Sequence, residues 1–145
     1  MAVVQTSDAS KSRLVTKSER NLFRDLNLKF TQHPVLKDIT PLNDIEAVKN
    51  SVKNLVLTNF HERPFHPEIG SNLTALLFEP ADQFTGIAMR EEILRVLKDF
   101  ETRITGVKVQ ILDDSNANRY HIQIGFTVIF SNTQEEIEFN LQRLR

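Results

Sequence analysis

Hydrophobic positions recur along this chain with two different periods. Between residues 43 and 59 the spacing is helical. Ile45, Val48, Val52, Leu55 and Val56 share one face, while Lys49, Asn50, Lys53 and Asn54 fall on the other. Asn43 stands three residues before Glu46, the spacing of a capping box, and predicts the start of this helix. A second helical pattern begins near Asp82, whose carboxylate suits the positive end of a helix dipole. It carries two stripes: Phe84, Ile87, Ala88, Glu91 and Leu94, then a richer one of Ile93, Val96, Leu97, Phe100 and Ile104. Two stripes predict a central helix packed on two sides and closed by Gly106.

Beyond that helix the period is two. Val107, Val109 and Ile111 alternate with polar residues, as do Tyr120, Ile122, Ile124, Phe126, Val128 and Phe130. Ile137, Phe139 and Leu141 alternate with Glu138, Asn140 and Gln142. Three strands joined by turns at 113–118 and 131–134 form an antiparallel meander with one face on the helices. Upstream, Leu26, Leu28 and Phe30 alternate with Asn27 and Lys29, which predicts a short strand within 23–34 ended by His33-Pro34. A loop anchored by Ile39 follows. The expected fold class is α+β: two main helices packed on a C-terminal three-stranded antiparallel meander, with a short N-terminal strand.

Residues 62–80, E-R-P-F-H-P-E-I-G-S-N-L-T-A-L-L-F-E-P, join the two helices. Pro64 and Pro67 push the residues before them into extended geometry, and Gly70 admits backbone angles other residues avoid. Leu73, Leu76, Leu77 and Phe78 read as one helical turn packing inward. Glu79 and Pro80 stand at the foot of the next helix. The segment is expected to be a fixed, irregular elbow.

At 145 residues the chain fits one domain at 21–145, preceded by an arm at 1–20. The arm is rich in Ser, Thr, Lys and Arg. Its basic residues Lys11, Arg13, Lys17 and Arg20 suit a mobile tail or one that orders on an acidic neighbour. Eighteen basic and 19 acidic residues leave no general field for nucleic acid or a membrane surface. The absence of cysteine excludes disulfides and thiolate catalysis and is compatible with a reducing cytoplasm. No apolar run approaches the roughly 20 residues of a membrane span, and the polar start lacks the apolar centre of a secretory signal. The expectation is a soluble protein made in a cytoplasm.

Little in the chain points to catalysis. His33, His61, His66 and His121 form no H-E-x-x-H pair, and no metal or other cofactor is expected. Glycoside hydrolysis needs two carboxylates facing one sugar bond, and Glu62, Glu68, Glu79 and Asp82 are the candidates. Trp is absent, and the one Tyr, Tyr120, reads as a core-facing strand residue. That leaves few aromatic platforms for a glycan.

The order R-P…P-E-I-G…L…L-L-F-E-P followed by an amphipathic helix resembles the small baseplate wedge proteins of contractile phage tails. That lysozyme-like family is shared with type VI secretion baseplates. The similarity extends upstream to F-R-D-L-N-L-K-F-T-Q-H-P and downstream into the strand-rich tail, covering roughly 23–144. It implies a non-enzymatic, cofactor-free structural component of the virion. Its partners would be other baseplate wedge subunits and the tail sheath protein. In the family an E-P-R motif engages the bundle of larger wedge subunits. Glu79 and Pro80 match it and Ala81 does not, leaving Arg63 or Arg90 as candidate substitutes for the basic position. Glu79 otherwise reads as a structural carboxylate at a helix entrance.

The last strand, with Glu136, Ile137, Glu138, Phe139, Asn140 and Leu141, has a free edge. Its charges could simply protect that edge. The resemblance implies instead that it pairs with a partner strand and templates the first sheath ring. The alternative function is a peptidoglycan-cleaving lysozyme-like glycosidase.

Overall fold

Ala47, Val48, Val52, Leu55 and Val56 are buried along one side of α1 (Asp44–Leu57), as their helical spacing requires. The computed structural model describes residues 22–35, 37–80, 82–114 and 118–143. The start of α1 departs from the capping-box expectation. Asn43 makes no side-chain cap bond, and its Oδ1 is buried with no partner among the described residues. Asp44, at φ 45°, takes over the junction. Its Oδ1 accepts the backbone N–H groups of Leu22 and Phe23 at 2.7 and 3.1 Å, so the carboxylate splices the preceding segment to the helix.

That segment forms β1 (Arg24–Asp25), antiparallel to β2 (Leu42–Asn43). A short N-terminal strand is therefore present, but the alternating Leu26, Leu28 and Phe30 are not part of it. All three are exposed, and Phe30 has a left-handed backbone at φ 51°. They ride on a loop closed by a bridge between Gln32 and Ile39. Alternation without a facing strand or core leaves nothing to hold an extended run.

The elbow contains a single turn, α2 (Leu73–Leu76). Leu73 and Leu77 point inward, whereas Phe78 is 64% exposed, against expectation. The turn simply ends before it can rotate Phe78 onto the buried side. Next comes α3 (Gln83–Phe100), capped by Asp82, whose carboxylate accepts the Thr85 N–H at 2.7 Å.

Two features of α3 correct the sequence reading. Only the stripe through Met89, Ile93, Val96 and Leu97 is buried, against α1 and β3; Phe84 and Ile87 are 79% and 46% exposed. The helix also ends at Phe100. Ile104 and Gly106 belong to β3 (Ile104–Asp114), where the register slips between Thr105 and Lys108. Gly106, at φ 62°, sits in that bulge. A helix stop and a bulge both favour a left-handed glycine, so the residue alone does not distinguish them.

The sheet is β3, β4 (Arg119–Val128) and β5 (Thr133–Gln142), antiparallel in that order. Tyr120, Ile122, Ile124, Phe126 and Val128 of β4 are buried on the helix side. Ile124 lies between Val109 and Ile137, and Ile122 between Ile111 and Phe139. Phe130 falls beyond β4, where its ring meets Phe23 edge-on at 5.1 Å.

Candidate docking surfaces

The outer strand β5 divides its residues between two tasks. The Arg143 N–H donates to the Asn118 carbonyl at 3.0 Å, and pairing runs unbroken from there to Val128 and Thr133. Antiparallel pairs alternate between bonded and non-bonded. Ile137, Phe139 and Leu141 therefore direct their N–H and C=O groups to β4, and their side chains pack half-buried against the core. Glu136, Glu138 and Asn140 direct their backbone groups away from the sheet.

The side chains of those three differ. Gln123 donates to Glu138 at 2.8 Å, and Asn140 lies 2.8 Å from the His121 ring. Glu136 stands opposite Gly125 and makes no side-chain bond among the described residues. Glu135 reaches back to Lys49 of α1 at 2.7 Å, a bond that raises the pKa of the lysine.

The elbow is fixed mainly by its own backbone. Ser71 N–H donates to the Thr58 carbonyl at 2.8 Å, and the buried Ser71 hydroxyl donates to Val56 at 2.7 Å. Glu62 accepts the Asn59 N–H at 2.8 Å. Gly70, at φ 145°, brings the two limbs so close that a Cβ would lie 2.7 Å from the Asn59 carbonyl. Arg63, Glu79 and Pro80 are all exposed on this frame. The carboxylate of Glu79 and the guanidinium of Arg63 have no bonds among the described residues, so neither pairs with the other. The Pro80 carbonyl accepts the Thr85 hydroxyl at 2.8 Å, which ties the tip of the elbow to α3. Arg90 is exposed on α3, and Ala81 lies outside the described residues, as does the arm at 1–20.

The four candidate catalytic carboxylates have separate occupations. Glu62 and Asp82 serve backbone N–H groups, Glu68 lies 3.1 Å from His66, and Glu79 faces solvent. A general acid needs a raised pKa. The Asp82 carboxyl is lowered by the Thr85 N–H, and that of Glu68 by its own backbone N–H and then His66. Among the described residues no three His, Asp or Glu side chains converge as metal ligands, and no helix is long and apolar enough to cross a membrane.

Residues 43–133, more than half the chain, match the family model for the baseplate wedge protein gp25. The chain belongs to that family. The match begins at the α1 junction and closes at Thr133, the first residue of β5. A baseplate wedge protein gp25 of Enterobacteria phage T4 is 28% identical over 93 residues, 64% of this chain and 70% of the relative. Among solved structures, a candidate tail lysozyme from Geobacter sulfurreducens superimposes with a TM-score of 0.62. It is 20% identical and covers 68% of this chain and 89% of its own. A chain of the anti-feeding prophage baseplate gives 0.61 at 20% identity, over 74% and 86%. A chain of a type VI secretion baseplate complex gives 0.57 at 12% identity, over 68% and 92%. At these identities the structural matches establish the fold.

Proposed function

We propose that this chain is a structural subunit of a contractile-tail baseplate wedge and templates sheath assembly by strand pairing. Family membership makes it a baseplate wedge protein, and the phage T4 relative supports a place in the tail of a virion. The elbow, presenting Arg63, Glu79 and Pro80, docks on larger wedge subunits. The margin of β5 receives a strand of the tail sheath protein. Residues 1–20 act as an arm ordered by a neighbour, and residues 21–145 as the wedge domain. Neither nucleic acid, membrane nor cofactor takes part.

The observation that carries the templating step is the split along β5. Glu136, Glu138 and Asn140 offer backbone groups outward in register, while Ile137, Phe139 and Leu141 leave an apolar row half covered. Added main chain would supply both missing partners: hydrogen bonds to the edge and side chains over the row.

Deleting residues 136–145 is not a clean test, because it strips three core-packing side chains from the sheet. Glu136→Pro is cleaner. It removes an outward N–H, spares the β4 ladder and breaks no side-chain bond. The variant should fold and enter baseplates while sheath growth stops, and Glu136→Ala should behave as wild type. Normal sheath growth on Glu136→Pro baseplates would refute pairing at this edge.

The Geobacter fold neighbour raises a second reading, a peptidoglycan-cleaving glycosidase. The separate partners of Glu62, Glu68 and Asp82, and the lowered pKa of Glu68 and Asp82, argue against it. Cell-wall glycan hydrolysis by the purified chain, lost in Glu68→Gln or Glu79→Gln, would reinstate it.

A further inference from the structure

The opposite margin of the sheet is open too, and there it forms one wall of a groove. On β4 the same alternation turns His121 and Gln123 toward β3, so Gln110 and Leu112 are their bonded partners. Val109 and Ile111 then direct their N–H and C=O groups outward, and no described residue bonds them. Facing them across a groove of about 550 Å³ is the N-terminal half of α3. Gly86 leaves open space in that wall, with no described atom beyond its neighbours and its own helix backbone within 4 Å of where a Cβ would stand, and half-exposed Ile87 follows it.

The groove also borders an unanswered donor. Tyr120 is 1% exposed and lines it, and the phenol oxygen has no hydrogen-bond partner among the described residues. Leaving such a group unpaired in a buried site is costly, so a partner for it is expected. Burial pushes its pKa up; Arg143 opposes this, and the charges of Asp113 and Asp82 add to it. Those two acids share this end of the groove with Arg90, and the Arg143 guanidinium lies over the Tyr120 ring at 5.8 Å, so the rim carries both signs.

We infer that the groove between α3 and β3 is a second docking site, for an extended segment of a partner polypeptide. That segment pairs its backbone with Val109 and Ile111 and sets a side chain into the space above Gly86. One of its carbonyls accepts the Tyr120 hydroxyl. An extended chain fits because the wall already presents a strand margin, with a buried hydroxyl beside it that lacks an acceptor among the described residues. The inference rests on the chain being an assembly component but not on events at β5.

The test is Gly86→Leu in the full-length chain. Leucine is a better helix former than glycine, so the free protein should keep its fold and its thermal midpoint. Filling the groove should cut incorporation into baseplates reconstituted from purified subunits by at least about tenfold. In wild type, the Val109 and Ile111 amides should exchange rapidly in the free chain and at least about a hundredfold more slowly in assembled baseplates. Wild-type incorporation of Gly86→Leu, or equally rapid exchange of both amides after assembly, would overturn the site. So would protection in the free chain that vanishes on deleting residues 1–20, since the occupant would then be this chain's own arm. Sheath growth reports on β5 and incorporation on this groove, so the two proposals can fail separately.

Discussion

Glu92 and Arg95, one turn apart on α3, form a 2.8 Å ion pair in which each partner also holds the elbow. Glu92 accepts the Asn72 N–H at 2.8 Å. Arg95 donates to the Gly70 carbonyl at 3.4 Å, and its guanidinium lies over the Phe60 ring at 5.2 Å. The pair ties to α3 a stretch that its own backbone bonds already shape. Its hydrogen bond to Arg95 lowers the Glu92 pKa and that to Glu92 raises the Arg95 pKa, so both stay charged near neutral pH.

Glu92→Ala should therefore cost about 1–2 kcal/mol, because it releases a backbone N–H and a guanidinium together. Urea denaturation measures the loss. Amide exchange should accelerate across residues 59–72 before it does in the sheet. Uniform acceleration would show that the pair holds the whole fold and not the elbow in particular.

Two glycines with left-handed angles should respond unequally to alanine. At Gly70 a Cβ meets the Asn59 backbone at 2.7 Å, so Gly70→Ala should destabilise by at least about 2 kcal/mol and disturb the elbow. At Gly106 the nearest atom is the Thr127 hydroxyl oxygen at 3.8 Å, leaving only the backbone penalty of about 1 kcal/mol. Thermal melts of the two variants give the comparison.

Acid should act through Glu101, which is 4% exposed. Burial pushes its pKa up, but hydrogen bonds from Arg103 and Ser51, with the Arg103 charge, outweigh burial and hold it below its ordinary 4.5. A depressed native pKa contributes stability above the unfolded value and loses it as pH falls through the native one. Glu101→Gln should thus be less stable than wild type at neutral pH, with a gap that narrows below about pH 4.5. Denaturant midpoints between about pH 3 and 7 would show a constant gap if the ionised form were irrelevant.

The sidedness of α2 can be read from adjacent residues. Leu77→Ala should cost about 2–4 kcal/mol, whereas Phe78→Ser should stay within about 0.5 kcal/mol of wild type. A wild-type melt with impaired wedge assembly for Phe78→Ser would add that exposed ring to the docking surface of the elbow.

Where hydrophobic spacing was long and faced a real core, it was legible. The five β4 residues from Tyr120 to Val128 and the α1 stripe from Val48 to Val56 are buried as their periods demand. Short patterns misled. Leu26, Leu28 and Phe30 alternate without a sheet to join, and Phe84 and Ile87 make a helical stripe that no described residue buries. Polar junctions were harder still. Asn43 has the composition of a cap, yet Asp44 does the bonding, because the choice depends on where Leu22 and Phe23 arrive from 22 and 21 residues upstream. The groove at β3 had no sequence signal, since it needs Gly86, Ile111 and Tyr120 brought together from three elements.

The two seams of the sheet differ mechanically. Between β4 and β5 ten residue pairs run without a slip, whereas the seam between β3 and β4 is interrupted at Gly106. Tension applied lengthwise to β5 is shared by every rung of its seam at once. Peeling it sideways breaks the rungs one at a time. A pull along the strand axis is thus the direction in which β5 is hardest to detach from β4.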